Sequence, residues 1–231
     1  MPSINQIHHL LLCKVRIAEP ILIIGSKEYD FDQENFLGQL HSWGFSNVTG
    51  IDLSPGAGVD HVVNICDESS SFISNHLENF NTIICMQVLY ATENPFVAAG
   101  NIERLLSVNG TLLFSDVFSH KIHRIPRDYW RFTYDAHKVL FKSLVFDDSK
   151  AYVGITRTGE MKPLDYPLPE ISSYQRHNDE SQLAFLLRRV HRKYLSGGVF
   201  KASRFLPEIS IFSLATKPRV ENENGTKYQE D

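Results

Sequence analysis

The strongest constraint on the fold is a pair of apolar runs with contrasting ends. Ile21-Leu22-Ile23-Ile24-Gly25 closes in glycine, and Val48-Thr49-Gly50-Ile51-Asp52-Leu53 closes in aspartate one helix later. A continuous apolar strand reads as one buried on both faces of a parallel sheet, whose neighbours need a crossover, usually a helix. In such open sheets ligands sit outside the carboxyl ends of the strands, where the strand order reverses. A glycine there lets backbone approach a ligand closely. A carboxylate on the next strand can accept both hydroxyl protons of a ribose. The pair therefore points to an adenosine-containing ligand.

The alternation runs on to about Phe118. A helix over about 32–43 carries Phe36, Leu37, Leu40 and Trp43 at helical spacing, and Gly44 stops it. Turn-rich 54–58 leads into a short third strand at 59–63, and 82–86 is a fourth, continuously apolar one. Asn94-Pro95 opens a helix as cap and first helical residue. Its buried stripe reads as Ala99, Ile102, Leu105 and Leu106, with Asn109-Gly110 as its stop. Strand five is 111–115. The βαβαβ order predicts an α/β fold with a doubly wound, mostly parallel sheet.

The second half is less regular. Thr133 is placed to cap a helix through Phe141. Segments over 144–155 and 209–215 read as an antiparallel pair at the sheet edge, separated by a proline-rich loop over 161–169 and a helix. That helix carries Leu183, Leu186, Leu187, Val190 and Tyr194 on one face, with Gly197 as its stop. The expected organisation is one domain over 1–217, with a substrate-side lid at about 116–133 and a C-terminal helical insertion at about 156–206. A polar, disordered tail over 218–231 completes the expectation.

The 231 residues suffice to bury a full core, and the formal net charge of -4 offers no overall attraction to nucleic acid. Cys13, Cys66 and Cys85 include no CxxC pair, which argues against zinc or a disulfide framework and fits a reducing compartment. No apolar run is long enough to span a bilayer, and His9-Leu10-Leu11-Leu12 lacks a basic n-region, so the expected location is cytoplasmic.

A dinucleotide fits poorly. Gly25 is followed by Ser26-Lys27-Glu28-Tyr29-Asp30, without the further glycines of a pyrophosphate turn, and Glu28, Asp30 and Asp32 would repel phosphate. A ligand bearing a sulfonium and an ammonium suits this turn better.

Taken in order, ILIIGSK, GIDLSPGAGVDHVVNICD, NTIICMQVLYATENPF, IERLLSVNGTLLFS and PRDYWRFT resemble the class I S-adenosylmethionine-dependent methyltransferases, in particular the type 11 methyltransferase domain. The resemblance covers about 21–133 and implies a Rossmann-like methyltransferase fold with S-adenosyl-L-methionine as cofactor. It implies that Gly25 and Ser26 lie against the methionine part, Asp52 on the ribose hydroxyls and Leu53 against the adenine. Cys66 and Asp67 fall where the family contacts the adenine amino group, and Gln87 would line the pocket below the sulfonium. Two departures stand out: GSK replaces a G-x-G turn, and Tyr90-Ala91 replaces a Glu-His pair found in related sequences.

The segment over 115–133 leaves the carboxyl edge where a methyl group would be presented. His123 is the expected general base, because its ordinary pKa lies near working pH. Arg127 is the candidate for an anionic acceptor, and Tyr129 and Trp130 for stacking on a sugar or ring. Structural alternatives stand beside these readings. Trp130 and Phe132 can simply pack the lid, Asp128 and Arg131 can form an ion pair, and Asp67 can cap a turn. No metal is expected. The basic residues Arg188, Arg189, Arg192, Lys193, Lys201 and Arg204 suit either a solvated helix end or an anionic contact. The functional expectation is methyl transfer to a small-molecule or carbohydrate-like acceptor, at oxygen. A non-catalytic methyltransferase-like binding domain is the alternative, and a homodimer is left open.

Overall fold

A computed structural model of the protein describes residues 3–29, 35–120, 122, 127–155, 159–164, 181–190 and 208–219. The first two strands are β1 (Ile21–Ile24) and β2 (Val48–Asp52), paired parallel with Ile24 opposite Ile51. The short β3 (His61–Val62) continues the sheet beyond β2. On the other side of β1 lie β4 (Phe80–Met86) and then β5 (Leu106–Ser119), again parallel. The order of these five is β3-β2-β1-β4-β5, so it reverses between β1 and β4, and the carboxyl ends of those two strands flank the expected ligand cleft.

The antiparallel portion is larger than a single edge pair. The strand β9 (Ile209–Thr216) runs antiparallel along β5 from Thr111 to Ser119. Beyond it come β7 (Tyr152–Ile155) and β8 (Glu160–Pro163), and β6 (Val145–Phe146) pairs with the far end of β9. Residues 160–163 are therefore a strand rather than the start of the expected proline-rich loop. The hairpin partner β7 satisfies their backbone groups, which local composition does not report.

Strands with side chains on both faces need helices on both faces, and alternate residues of each strand divide accordingly. Leu22, Ile24, Ile83, Cys85, Leu112 and Phe114 face α4 (Pro95–Leu105), α5 (Tyr134–Leu140) and the short α3 (Ser71–Asn75). Ile21, Ile23, Ile84, Met86 and Leu113 face α1 (Ile4–Leu12) and α2 (Phe36–Ser42). Side chains cap three of these helices: Asn35 for α2, Asn94 for α4 and Thr133 for α5 each accept a backbone N–H three residues on.

Several sequence-based boundaries move. The described part of the first crossover helix begins at Phe36, and the third strand shrinks to His61–Val62. Leu106 leaves the helix and starts β5, where its partner Phe80 draws it into the sheet. Asn109 turns at φ 64 within that strand, its N–H donating to Lys217, so Asn109-Gly110 kinks a strand rather than ending a helix.

The helix α1 was not legible in the sequence. It buries Leu10 together with Asn5, Gln6 and His9. Burial holds the His9 imidazole neutral, lowering its pKa to about 3. Of the expected C-terminal helix, α6 (Gln182–Val190) is described, with Leu183, Leu186 and Leu187 exposed. Tyr194, Gly197 and most of the expected tail lie outside the described residues. Among the described residues no helix is long and apolar enough to cross a membrane.

Candidate functional site

The turn after β1 is built by close backbone contact. Gly25 adopts φ +76, and its N–H and that of Ser26 both donate to the Ile51 carbonyl, at 2.9 and 3.1 Å. A Cβ on Gly25 would lie 2.6 Å from Val88 Cγ2, so both the dihedral and the packing require glycine. The same closeness recurs one strand over. A Cβ on Gly50 would collide with the carbonyl oxygen of Gly58, and one on Gly58 would meet the Ser26 carbonyl at 2.7 Å. The 25–28 and 56–58 turns thus lie directly on each other, joined by a Glu28 N–H to Ala57 O bond of 2.9 Å.

Asp52 sits where these turns meet. Its carboxylate accepts the N–H of Lys27 at 3.3 Å and that of Ser54 at 3.1 Å. The Ser54 hydroxyl adds a longer bond to Oδ1 at 3.5 Å, which leaves a lone pair on Oδ2, and the side chain is only half-buried. Gly25 and Asp52 therefore stand at the ends of adjacent parallel strands. Leu53 follows, 61% exposed. The Ser26 hydroxyl is buried and has no hydrogen-bond partner among the described residues. It borders a small cavity of about 40 Å³, walled also by Gln6, Glu28, Asn35, Phe36 and Met86. That space holds a water or two.

Cys66 and Asp67 leave the carboxyl end of β3, but their polar atoms are engaged locally. The Cys66 thiol donates to the Asn94 carbonyl at 3.5 Å, tying this loop to the start of α4. Asp67 accepts from the hydroxyl and N–H of Ser69, and these bonds hold its carboxyl below the ordinary value. Gln87, at φ 58 after β4, donates from its amide to Ser210 Oγ on β9 at 3.0 Å, so its side chain is directed to β9. Lys27 fills part of the turn region: its stem lies 2.9 Å from a Cβ position on Gly56, and its ammonium is 3.4 Å from Ser54 Oγ and 5.5 Å from the Tyr29 ring centre.

Of the residues expected on the acceptor side, His123 lies outside the described residues. Arg127 is exposed. Tyr129 and Trp130 dock by their polar ends. Tyr129 donates from its hydroxyl to Glu93 at 3.1 Å, and Trp130 donates from Nε1 to the Thr92 carbonyl at 2.9 Å. About two-fifths of each remains exposed, so ring surface is still available for stacking. Arg131 forms a forked pair with Asp128, and the carboxylate holds the guanidinium's pKa up.

A residue not singled out from the sequence organises this side. Asp116, fully buried near the end of β5, accepts the N–H of Val117 at 2.8 Å and of Tyr90 at 2.9 Å. Desolvation raises its pKa to about 7, against the lowering effect of these N–H groups and of Arg131. An acidic residue within an otherwise apolar strand was the available sequence signal.

No family model matches the chain, and no curated protein matches it either. Solved structures do share its fold. A Burkholderia thailandensis 1,6-didemethyltoxoflavin-N1-methyltransferase, with bound 1,6-didemethyltoxoflavin and S-adenosylhomocysteine, is 10% identical at a TM-score of 0.54, over 94% of this chain and 79% of that one. A SAM-dependent methyltransferase from Archaeoglobus fulgidus is 10% identical at 0.52, over 92% and 94%. The 4+2 cyclase SpnF is 14% identical at 0.52, over 94% and 82%, so this fold also occurs in a protein named for a different reaction. At these identities the likeness is one of fold. The architecture is the Rossmann-like fold of the S-adenosylmethionine-dependent methyltransferases, with an extended antiparallel side.

Proposed function

We propose that the protein binds S-adenosyl-L-methionine and transfers its methyl group to the oxygen of a small-molecule or carbohydrate-like acceptor. The observation that carries this reading is the meeting of Gly25 and Asp52 on adjacent parallel strand ends, with a partly free carboxylate beside an exposed Leu53. The unpaired Ser26 hydroxyl and the glycine-only contacts at Gly25 and Gly50 fit a ligand laid against backbone. Asp52 would hold the ribose, Leu53 the adenine face, and Gly25 with Ser26 the amino-acid end. Cys66, Asp67 and Gln87 would contribute mainly through backbone, since their side chains are occupied.

When bound, the cofactor supplies an electrophilic methyl carbon on a sulfonium. The chain's task is then alignment and exclusion of water, which lowers the barrier through proximity. Tyr129 and Trp130 present ring surface to an acceptor, Arg127 offers a free cation to an anionic one, and His123 is the proposed base for a weakly acidic hydroxyl. Assignment to the type 11 domain and a cytoplasmic setting belong to this same proposal.

Calorimetry with S-adenosylmethionine and S-adenosylhomocysteine tests it. The expected result is binding by the wild type, weakened about 10- to 100-fold in Asp52→Ala by loss of hydrogen bonds to a charged acceptor. No heat with either ligand would overturn it. The non-catalytic reading has its own support: Val88 packs onto Gly25, the Lys27 stem crosses the turn, and the adjoining cavity is small. A crystal soaked with S-adenosylhomocysteine that shows an empty, closed cleft would favour that second reading.

A further inference from the structure

We propose that Asp116 is a positioning residue, a proton-controlled latch that holds the 129–132 segment against the sheet's carboxyl edge when its carboxylate is ionised. The geometry is specific. Of the three residues whose N–H groups act on the carboxylate, Leu89, Tyr90 and Val117, the last two are also those whose carbonyls carry the segment. The Tyr90 carbonyl accepts the N–H groups of Tyr129 at 2.9 Å and Trp130 at 3.1 Å, and the Val117 carbonyl accepts that of Phe132 at 2.9 Å. One buried side chain thus fixes both anchor points of the segment, one in the turn after β4 and one on β5.

An ionised carboxylate has lone pairs for both donors. A protonated one carries a hydrogen on one oxygen, and that oxygen then meets an N–H poorly. Proton uptake therefore weakens one anchor while the other stays. Burial raises the affinity of this carboxyl for a proton into the neutral range, which places the change where cells operate. The ionisable groups felt at this site are Cys85 on β4, Tyr90 in the following turn, and Asp128 and Arg131 on the segment itself. Burial pushes Cys85 and Tyr90 up, which keeps both neutral, and the Asp128 carboxylate raises the pKa of the Arg131 guanidinium, which keeps that group charged. His120 is the neighbour to separate from Asp116, because its carbonyl accepts from Arg131 and its ring lies 3.5 Å from Glu208.

The test uses the full chain carrying Trp43→Phe, so that Trp130 is the remaining tryptophan. Its emission, followed from pH 5.5 to 8.5 without ligand, is expected to shift with a midpoint near 7. Adding Asp116→Asn is expected to abolish the shift and leave the low-pH spectrum at all pH, because the amide permanently lacks one acceptor. A flat wild-type titration overturns the latch. So does an unchanged titration in D116N, or one removed by His120→Gln alone. Hydrogen exchange on the unmutated chain covers the case in which D116N fails to fold. Protection of the Tyr129, Trp130 and Phe132 amides, corrected for intrinsic rates, is expected to fall roughly tenfold from pH 8 to pH 6. Equal protection at both pH values overturns the proposal. None of these readouts involves S-adenosylmethionine, so the latch and the cofactor assignment fail separately.

Discussion

The two halves of the sheet's carboxyl edge are constructed on different principles. On the β1–β2 side, backbone lies on backbone: the Gly25, Gly50 and Gly58 contacts leave no space for a Cβ, and Asp52 closes the turn from its rim. On the β4–β5 side a side chain, the carboxylate of Asp116, gathers two peptide groups from separate strand ends. The first construction is set by steric contact, which an added carbon atom disturbs. The second is held by one ionisable side chain. Under the proposed function, the former would hold the cofactor and the latter would face the acceptor.

Adding atoms should break the first half, and removing or protonating them should break the second. The largest effect is expected for Gly50→Ala, whose Cβ would run into the Gly58 carbonyl. Overpacking against backbone should cost about 1–3 kcal/mol or more, read as a fall in the urea midpoint. Gly25→Ala should cost about 1–3 kcal/mol for its strained positive φ and the Val88 contact.

Next is the pH dependence of stability. The folded-state pKa of Asp116 lies above its unfolded value, so the folded chain holds the extra proton between them, and this group's contribution to stability falls as pH rises from about 4 to about 7. His9 and His137 act oppositely. Each is buried and neutral, with its pKa lowered to about 3, so acid below pH 6.5 charges them in the unfolded state and destabilises the fold. The wild-type curve mixes these terms. The difference between wild type and D116N, by urea unfolding across pH 5–8, should isolate the acidic one and decline with rising pH. A difference that is constant with pH would refute the assignment.

The Asp52→Ala variant should sharpen the contrast by losing ligand affinity while its unfolding free energy in urea changes by less than about 1 kcal/mol, because a half-exposed carboxylate contributes little to folding. The smallest effect is expected for Tyr129→Phe. It removes one exposed hydroxyl contact to Glu93 and should change stability by at most about 0.5 kcal/mol, seen in the same unfolding experiment.

Residue order and periodicity alone dictated the parallel half of the molecule. Continuous apolar strands, the Asn94-Pro95 and Thr133 caps, and the glycine and aspartate ends are local signals, and local signals are written in neighbouring residues. Tertiary structure alone decided the rest, because it depends on partners distant in sequence. Residues 160–163 become a strand only because β7 is there to pair with them, and α1 is buried only because the sheet offers a face for Leu10. Likewise Asp116 is one acidic residue in a strand until folding brings Tyr90, 26 positions away, to its carboxylate. A buried charge acquires its meaning from what surrounds it, and that is set by the packed fold.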